Sequence, residues 1–190
     1  MATSYNRDMH TNSGASGRRN TLRLALLSSV VVLVWLILDR MTKLYFEHHY
    51  LLGQESANDY LLFHFKLIHN TGAAWGMFGN STFMLGITSL LVCVVILALG
   101  CMYSKVFERS LSLWEAFSLA LVFAGGLGNA FDRFVYGYVV DFIDLTFMNF
   151  PVFNVADIGV TCGFISFFIA VLVLSRHDDQ ALCKEEVHHE

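Results

Sequence analysis

The chain has 190 residues, of which 55% are hydrophobic and 14% aromatic, and it contains a single proline. A soluble domain of this length could not bury so much apolar surface, so the composition indicates an integral membrane protein. The formal net charge of −4 gives no sign of nucleic-acid binding, and the four cysteines form no C-x-x-C pair, which argues against a disulfide framework or a zinc site.

The N-terminal segment is polar. Residues 1–23 are rich in Ser, Asn and Gly and carry four arginines, which predicts a disordered cytoplasmic tail. The apolar run that follows ends in Leu38-Asp39-Arg40, without a small-residue cleavage site. We therefore expect an uncleaved first transmembrane helix rather than a signal peptide.

Four segments are apolar enough to span a membrane, at roughly residues 24–38, 83–102, 116–131 and 158–175. If the N-terminus is cytoplasmic, eight of the twelve Lys and Arg residues lie on the cytoplasmic side. The positive-inside rule then places both termini in the cytoplasm. We predict a membrane domain over residues 24–175 and a cytoplasmic C-terminal tail over 176–190.

The segments between the helices carry further signals. Residues 63–69 partly alternate apolar and polar side chains, which predicts a short strand, and residues 139–144 are β-prone. Residues 71–76 combine small residues with an interfacial Trp75. The predicted fold is an all-α membrane protein of four transmembrane helices with a small extracytoplasmic β-structure.

Acidic residues interrupt the apolar runs. Asp39 ends the first run, Asp132 follows the third and Asp157 begins the fourth, while Asp141 lies between the last two. The predicted topology brings these acids together at the outer face of the membrane. An acid at the edge of a lipid-facing helix is costly to desolvate and marks a functional site by default. Several acids at one depth therefore suggest chemistry.

Asp141 and Asp157 are the pair that best suits catalysis. Two carboxyl groups that share a water divide the work of peptide hydrolysis, because one takes the proton of the water while the other, protonated, hydrogen-bonds the carbonyl oxygen. Their mutual repulsion separates the two titrations, so that one proton is shared near neutral pH. Spacing alone leaves open that Asp157 is only a helix cap and Asp141 a solvated loop acid.

Polar residues flank these acids. Asn129, Arg133 and Asn154 have side chains that can orient a peptide backbone or the acids themselves. The alternative is an ion pair between Asp132 and Arg133, with Asn154 as a helix cap.

The other motifs favour structural roles. Asp39 and Lys43 are four residues apart, which predicts a salt bridge on one helix face. The glycines at 125, 126 and 128 favour close helix packing over phosphate binding. The histidines form no H-E-x-x-H motif, so we expect no catalytic metal, and a G-x-S-x-G elbow is absent, which argues against a serine hydrolase.

Five short motifs occur in order within residues 24–175: Leu38-Asp39-Arg40-Met41-Thr42-Lys43, Asn70-Thr71-Gly72-Ala73-Ala74-Trp75-Gly76, Gly125-Gly126-Leu127-Gly128-Asn129-Ala130-Phe131-Asp132-Arg133, Val140-Asp141-Phe142 and Phe153-Asn154-Val155-Ala156-Asp157. This ordered series resembles that of bacterial lipoprotein signal peptidases (signal peptidase II). Only the N-terminal tail is unusually long for that family.

The resemblance implies a membrane aspartyl endopeptidase that acts on diacylglyceryl-modified prolipoproteins and cuts just before the lipidated cysteine. It implies a monomer in the bacterial cytoplasmic membrane, with an extracytoplasmic β-cradle, an active site at that face, and no cofactor or metal. By motif, Asp141 and Asp157 are the catalytic dyad. The other residues that it implies are a substrate-binding or dyad-orienting set, Asn129, Arg133 and Asn154, and a supporting set, Asp39, Lys43, Asn70 and Asp132.

Two other classes of function compete with this one. A proton-coupled transporter or channel would place its acids near the membrane midplane and would favour repeated halves, neither of which the sequence indicates. A non-enzymatic membrane assembly factor would use the acids only structurally. Cleavage of a lipid-modified preprotein separates the peptidase from both alternatives.

Overall fold

The computed structural model describes residues 2–72, 81–106 and 110–188, and describes side chains over 19–72, 81–103 and 110–175. Part of the predicted small-residue motif, residues 73–76 with Trp75, lies outside the described residues. Within these ranges six elements follow one another: α1 (Ala2–His49), β1 (Phe63–Asn70), α2 (Thr82–Val106), α3 (Leu113–Val135), β2 (Val139–Leu145) and α4 (Val155–His188).

The described residues contain four stretches of helix that are long and apolar enough to cross a membrane: Arg19–His49, Thr82–Tyr103, Leu113–Val135 and Val155–Ser175. This confirms the four predicted helices. Their many exposed Leu, Val, Ile and Phe side chains suit hydrocarbon rather than water.

The first helix is longer than predicted. The prediction that it ends at Asp39 is wrong, because α1 continues for ten residues to His49. Residues 40–49 contain neither Gly nor Pro to stop the helix, and Phe46 in this extension is buried against the sheet. The structure also gives helix from Ala2 and as far as His188, over the segments predicted as a disordered tail and a C-terminal tail.

Helix α3 lies at the centre of the bundle and packs against α1, α2 and α4. Its glycines permit this close approach, as the sequence predicts. A Cβ atom on Gly125 would collide with the carbonyl oxygen of Ala156 on α4, and one on Gly128 would lie 2.7 Å from Oδ2 of Asp39 on α1. Ser112 caps α3 at its N-terminal end, in a capping box with Glu115.

The two predicted strands are confirmed as an antiparallel pair, in which Ile68 faces Asp141 and Asn70 faces Val139. One face of this sheet packs on the extension of α1, where the rings of Phe46 and Phe142 stack at 4.1 Å. Because side chains alternate along a strand, Asp141 points from the other face. The sheet therefore carries Asp141 over the ends of α3 and α4.

Candidate active site

Asp141 lies in β2 and is 2% exposed. Its Oδ2 accepts a hydrogen bond from Nδ2 of Asn70 at 2.8 Å, and its Oδ1 accepts one from Nδ2 of Asn154 at 2.7 Å. Burial raises the pKa of Asp141 to about 7, with a further contribution from the negative charge of Asp157, while the two amide donors oppose the rise. Near neutral pH this carboxyl group is therefore poised between its acid and base forms.

Asp157 lies in the first turn of α4 and is partly exposed. Its Oδ2 accepts from the backbone N–H of Asn154 at 3.1 Å, and its own N–H donates to Oδ1 of Asn154 at 3.0 Å. This reciprocal arrangement is a cap at the start of the helix. The other carboxylate oxygen, Oδ1, accepts from Nδ2 of Asn129 at 2.7 Å. The helix cap thus fixes an acid whose second oxygen is held by α3.

Asn154 links the two acids. Its side-chain nitrogen contacts Asp141, the carbonyl oxygen of Val140 at 3.2 Å and Oδ1 of Asn129 at 3.1 Å, while its side-chain oxygen caps Asp157. This fully buried side chain caps α4, as the alternative prediction has it, and it also contacts both acids. One amide sets the relative position of two carboxyl groups that are sixteen residues apart.

Lys43 supports this arrangement from α1 and is fully buried. Its Nζ lies 2.9 Å from Oδ2 of Asp39, 2.8 Å from Oδ2 of Asp132 and 3.0 Å from Oδ1 of Asn129. The first two contacts are ion pairs, and the third is a hydrogen bond that Nζ donates. They also fix the amide of Asn129 with its oxygen toward Lys43 and its nitrogen toward Asp157.

Two ion pairs were expected here, and the structure forms one of them. The salt bridge between Asp39 and Lys43 is confirmed. The alternative pair between Asp132 and Arg133 is wrong, since Asp132 pairs with Lys43 and with Arg40, the latter at 3.3 Å. Adjacent residues of a helix point about 100° apart, so Asp132 faces α1 while Arg133 faces away.

Asp39 and Arg133 complete the site from two sides. The second oxygen of Asp39 accepts from the backbone N–H of Ala156 at 3.0 Å, which ties α1 to the start of α4. Arg133 contacts the carbonyl oxygen of Asn129 through Nη1 at 3.4 Å, and its Nε is buried without a hydrogen-bond partner among the described residues. Its guanidinium therefore offers donors to a ligand.

The two acids line one cavity of about 420 Å³ together with Asn70, Asn129 and Arg133. The rest of its wall is mostly apolar and comes from β2, the segment before α4 and one face of α4: Val139, Leu145, Phe150, Pro151, Val152, Phe153, Ile158, Thr161 and Cys162. This wall was not predicted, although the uncharged run of residues 145–153 between two acidic motifs is a signal that could have indicated it.

The structure brings together every predicted site residue. Asp132 and Asp157 lie near helix ends, at the end of the bundle opposite Ser112, rather than at the middle of a span. That placement disfavours the proton-relay alternative, which requires acids near the midplane. A cavity that combines two carboxyl groups with a mostly apolar wall suits hydrolysis of a bond that lies beside an apolar chain.

Comparison with known proteins identifies the family. Residues 31–173 match the family described as Signal peptidase (SPase) II. A lipoprotein signal peptidase of Nostoc punctiforme is 36% identical over 141 residues, which cover 74% of this chain and 86% of the relative. One of Lactococcus lactis subsp. cremoris is 38% identical over 148 residues, which cover 77% of this chain and 94% of the relative.

The fold resembles that of a known membrane enzyme. A solved structure described as a bacterial membrane enzyme, determined by the in meso method at 2.3 Å resolution, superposes with a TM-score of 0.67 at 29% identity, covering 77% of this chain and 87% of that one. With its four apolar helices, the chain is a multi-pass membrane protein. It belongs to the signal peptidase II family.

Proposed function

We propose that this protein is an aspartyl endopeptidase that removes the signal peptide from prolipoproteins. The observation that carries the proposal is the shared cavity of Asp141 and Asp157, whose carboxyl groups are held by one asparagine, Asn154. Family membership supports the activity, and the paired acids supply chemistry for it.

The paired acids divide the reaction between them. Asp141, with its pKa raised to about 7 by burial, holds the shared proton and donates a hydrogen bond to the scissile carbonyl oxygen. Asp157 lies in the first turn of α4, where the helix dipole favours a negative charge, and in its ionised form it takes a proton from the attacking water. The proton that Asp157 has taken from the water then passes to the leaving amine as the tetrahedral intermediate collapses.

The surrounding residues position these groups. Asn70, Asn129 and Asn154 hold the carboxyl oxygens, and the guanidinium of Arg133, which lines the cavity, can bind a backbone carbonyl of the substrate. Lys43, with Asp39 and Asp132, fixes α1 against α3 and α4. We assign these three a supporting role, because none of them lines the cavity.

The apolar wall supports a lipid-linked substrate. Phe150, Phe153 and Ile158 line the same cavity as the acids and make much of its wall apolar. In a preprotein whose lipidated cysteine directly follows the scissile bond, that bond would lie at the acids and the acyl chains would lie along that wall. We therefore propose cleavage just before the lipidated cysteine. The charge distribution supports an extracytoplasmic active site in the bacterial cytoplasmic membrane.

Asparagine variants test the dyad. Asp141→Asn and Asp157→Asn keep the size of the side chain but remove the acid and one of its two hydrogen-bond acceptors, so each should lower cleavage of a lipid-modified preprotein by about a thousandfold or more. Asp144→Asn is the matched control, because this acid lies on the same strand but contacts His64 and does not line the cavity. Cleavage that survives in either dyad variant would reject the assignment.

A second comparison tests the substrate class. The same preprotein is offered with and without its diacylglyceryl group, at equal concentration in the same detergent. We expect efficient cleavage of the lipidated form only, since only its acyl chains fill the apolar wall. Equal cleavage of both forms would leave the peptidase assignment intact and refute the lipid requirement.

A further inference from the structure

A patch of large apolar side chains is exposed at one end of the two-stranded sheet, away from the buried Phe46 core. Its members are Leu61, Leu62, Phe147, Met148 and Phe150, and they are called the apolar rim here. Leu61 is 94% exposed and Phe147 is 62% exposed. Contiguous exposed apolar surface of this kind marks a site of contact with something other than water.

The two parts of the rim lie side by side. Phe63 and Leu145 form the last pair of the sheet, and just beyond it the N–H of Thr146 donates to the carbonyl oxygen of Leu62 at 3.0 Å. The dipeptide Leu61–Leu62 is therefore adjacent to Phe147 and Met148. The rim is therefore built from two loops that lie next to each other.

The rim is attached to the start of a membrane helix. Phe153 pairs with Ile143 through two backbone hydrogen bonds of 2.9 and 3.0 Å, and its ring contacts that of Phe150 at 5.9 Å. Phe153 lies two residues before Val155, where α4 begins. Phe153 and Phe150 therefore connect the rim to the start of α4.

The backbone of Leu61 adds a second observation. Its φ is +62°, in the left-handed region that is unfavourable for residues other than Gly, Asn and Asp. The strained conformation places a leucine side chain almost fully outside the protein. Strain combined with exposure of an apolar group is unfavourable twice over in water, whereas in hydrocarbon the exposure carries no cost.

From these observations we propose that the apolar rim inserts into the lipid bilayer beside α4 and so holds the sheet, with Asp141, at a fixed height. A bilayer is favoured over a protein partner because residues 145–153 and 60–63 contain no charged residue. This surface therefore has no group that could form an ion pair with a protein. The nearby charges, on Asp59, Lys66 and Asp144, lie outside this surface. This proposal depends on the membrane fold and not on the dyad.

Spin labels measure the insertion directly. Leu61→Cys, and separately Phe147→Cys, are labelled in a protein whose Cys101, Cys162 and Cys183 are replaced by Ser while the buried Cys93 is kept. The matched control is Asn58→Cys, an exposed polar position in the same loop. Each protein is placed in vesicles of equimolar phosphatidylethanolamine and phosphatidylglycerol. Collision rates are then measured with oxygen, which concentrates in hydrocarbon, and with a water-soluble nickel chelate.

The expected result is that labels at 61 and 147 collide mainly with oxygen, and the label at 58 mainly with the chelate. Equal chelate access at all three positions would place the rim in water and overturn the proposal. Protection of 61 and 147 from both reagents would also overturn it, because it would indicate a protein surface. Neither outcome depends on whether the protein cleaves prolipoproteins.

A functional arm uses Leu61→Asn, since Asn tolerates the left-handed conformation and the change removes only the apolar side chain. We expect cleavage in the same vesicles to fall several-fold through a higher KM, with an unchanged rate in detergent micelles. An equal loss in both media would show a structural defect and count against the rim. This arm rests on the proposed function, whereas the collision measurements do not.

Discussion

Replacing Lys43 by Met tests the support beneath the dyad. Methionine is close in length and apolar, so the change removes the charge and the three donors and retains most of the volume. The Nζ atom has no exposure and lies within 2.8 to 3.0 Å of Asp39, Asp132 and Asn129. Two carboxylates then lose their shared cation in a buried site.

The size of the effect follows from that burial. Removing one partner of a buried ion pair destabilises a protein by about 3–5 kcal/mol, because the remaining charge is uncompensated. That is a large part of a typical stability of about 5–15 kcal/mol. The matched control is Lys66→Met, whose partner Glu55 lies at 2.7 Å in solvent, and we expect little change in stability there.

The same substitution changes the pH dependence of catalysis. The positive charge of Lys43 opposes the rise in the pKa of Asp141, so its removal moves that pKa further above about 7. Asp141 then keeps its proton to higher pH, and the alkaline limb of the rate profile shifts upward. The maximum rate should fall at the same time, because Asn129 loses the contact that orients its amide.

Two assays follow these effects. Unfolding of the purified protein in mixed detergent micelles gives the change in free energy of unfolding, and the rate of preprotein cleavage between pH 5 and 9, about two units either side of the raised pKa, gives the profile. Normal stability together with an unmoved alkaline limb in Lys43→Met would refute the supporting role.

Three further predictions follow from the geometry. Wild-type activity should decline as the pH rises past about 7, because Asp141 loses the proton that the carbonyl oxygen needs, and a rate that keeps rising to pH 9 would contradict this. In Asp157→Asn the pKa of Asp141 should fall, because a neighbouring negative charge is gone. It should stay above its ordinary value, because Asp141 remains buried. Infrared titration of the carboxyl band measures this pKa. Gly128→Ala should destabilise the protein by about 1–3 kcal/mol, because its Cβ would lie 2.7 Å from Oδ2 of Asp39. Gly100→Ala is the control, because the space around Gly100 is open and no destabilisation is expected. Equal melting temperatures of the two variants would argue against close packing of α3 on α1.

The helices and strands could be predicted because their signals are local. Apolar length identifies a spanning helix, and partial alternation identifies a strand. The end of α1 could not be predicted, because nothing in residues 40–49 breaks a helix and its extension is stabilised by a distant contact between Phe46 and Phe142. The stabilising role of Phe46 can be recognised only once its contact with Phe142 is known.

The site was predictable in its members and less so in its connections. Asp141 and Asp157 follow from their chemistry and from the motif order, but the sequence offers no means of knowing that Asn154 both caps α4 and holds Asp141. The expected pair of Asp132 with Arg133 failed because neighbours in sequence point to different sides of a helix. Contacts between α1, α3 and α4 depend on packing, which spacing along the chain does not encode.

The most direct test of the account measures binding and cleavage in one sample. Purified Asp157→Asn is mixed in excess with a diacylglyceryl-modified preprotein, the bound fraction is determined, and the released signal peptide is quantified over a single turnover. Because Asn at 157 keeps the size of the side chain and one of its two hydrogen-bond acceptors, we predict binding close to that of the wild type and no released peptide. Release at the wild-type rate from the bound complex would contradict the two-aspartate mechanism.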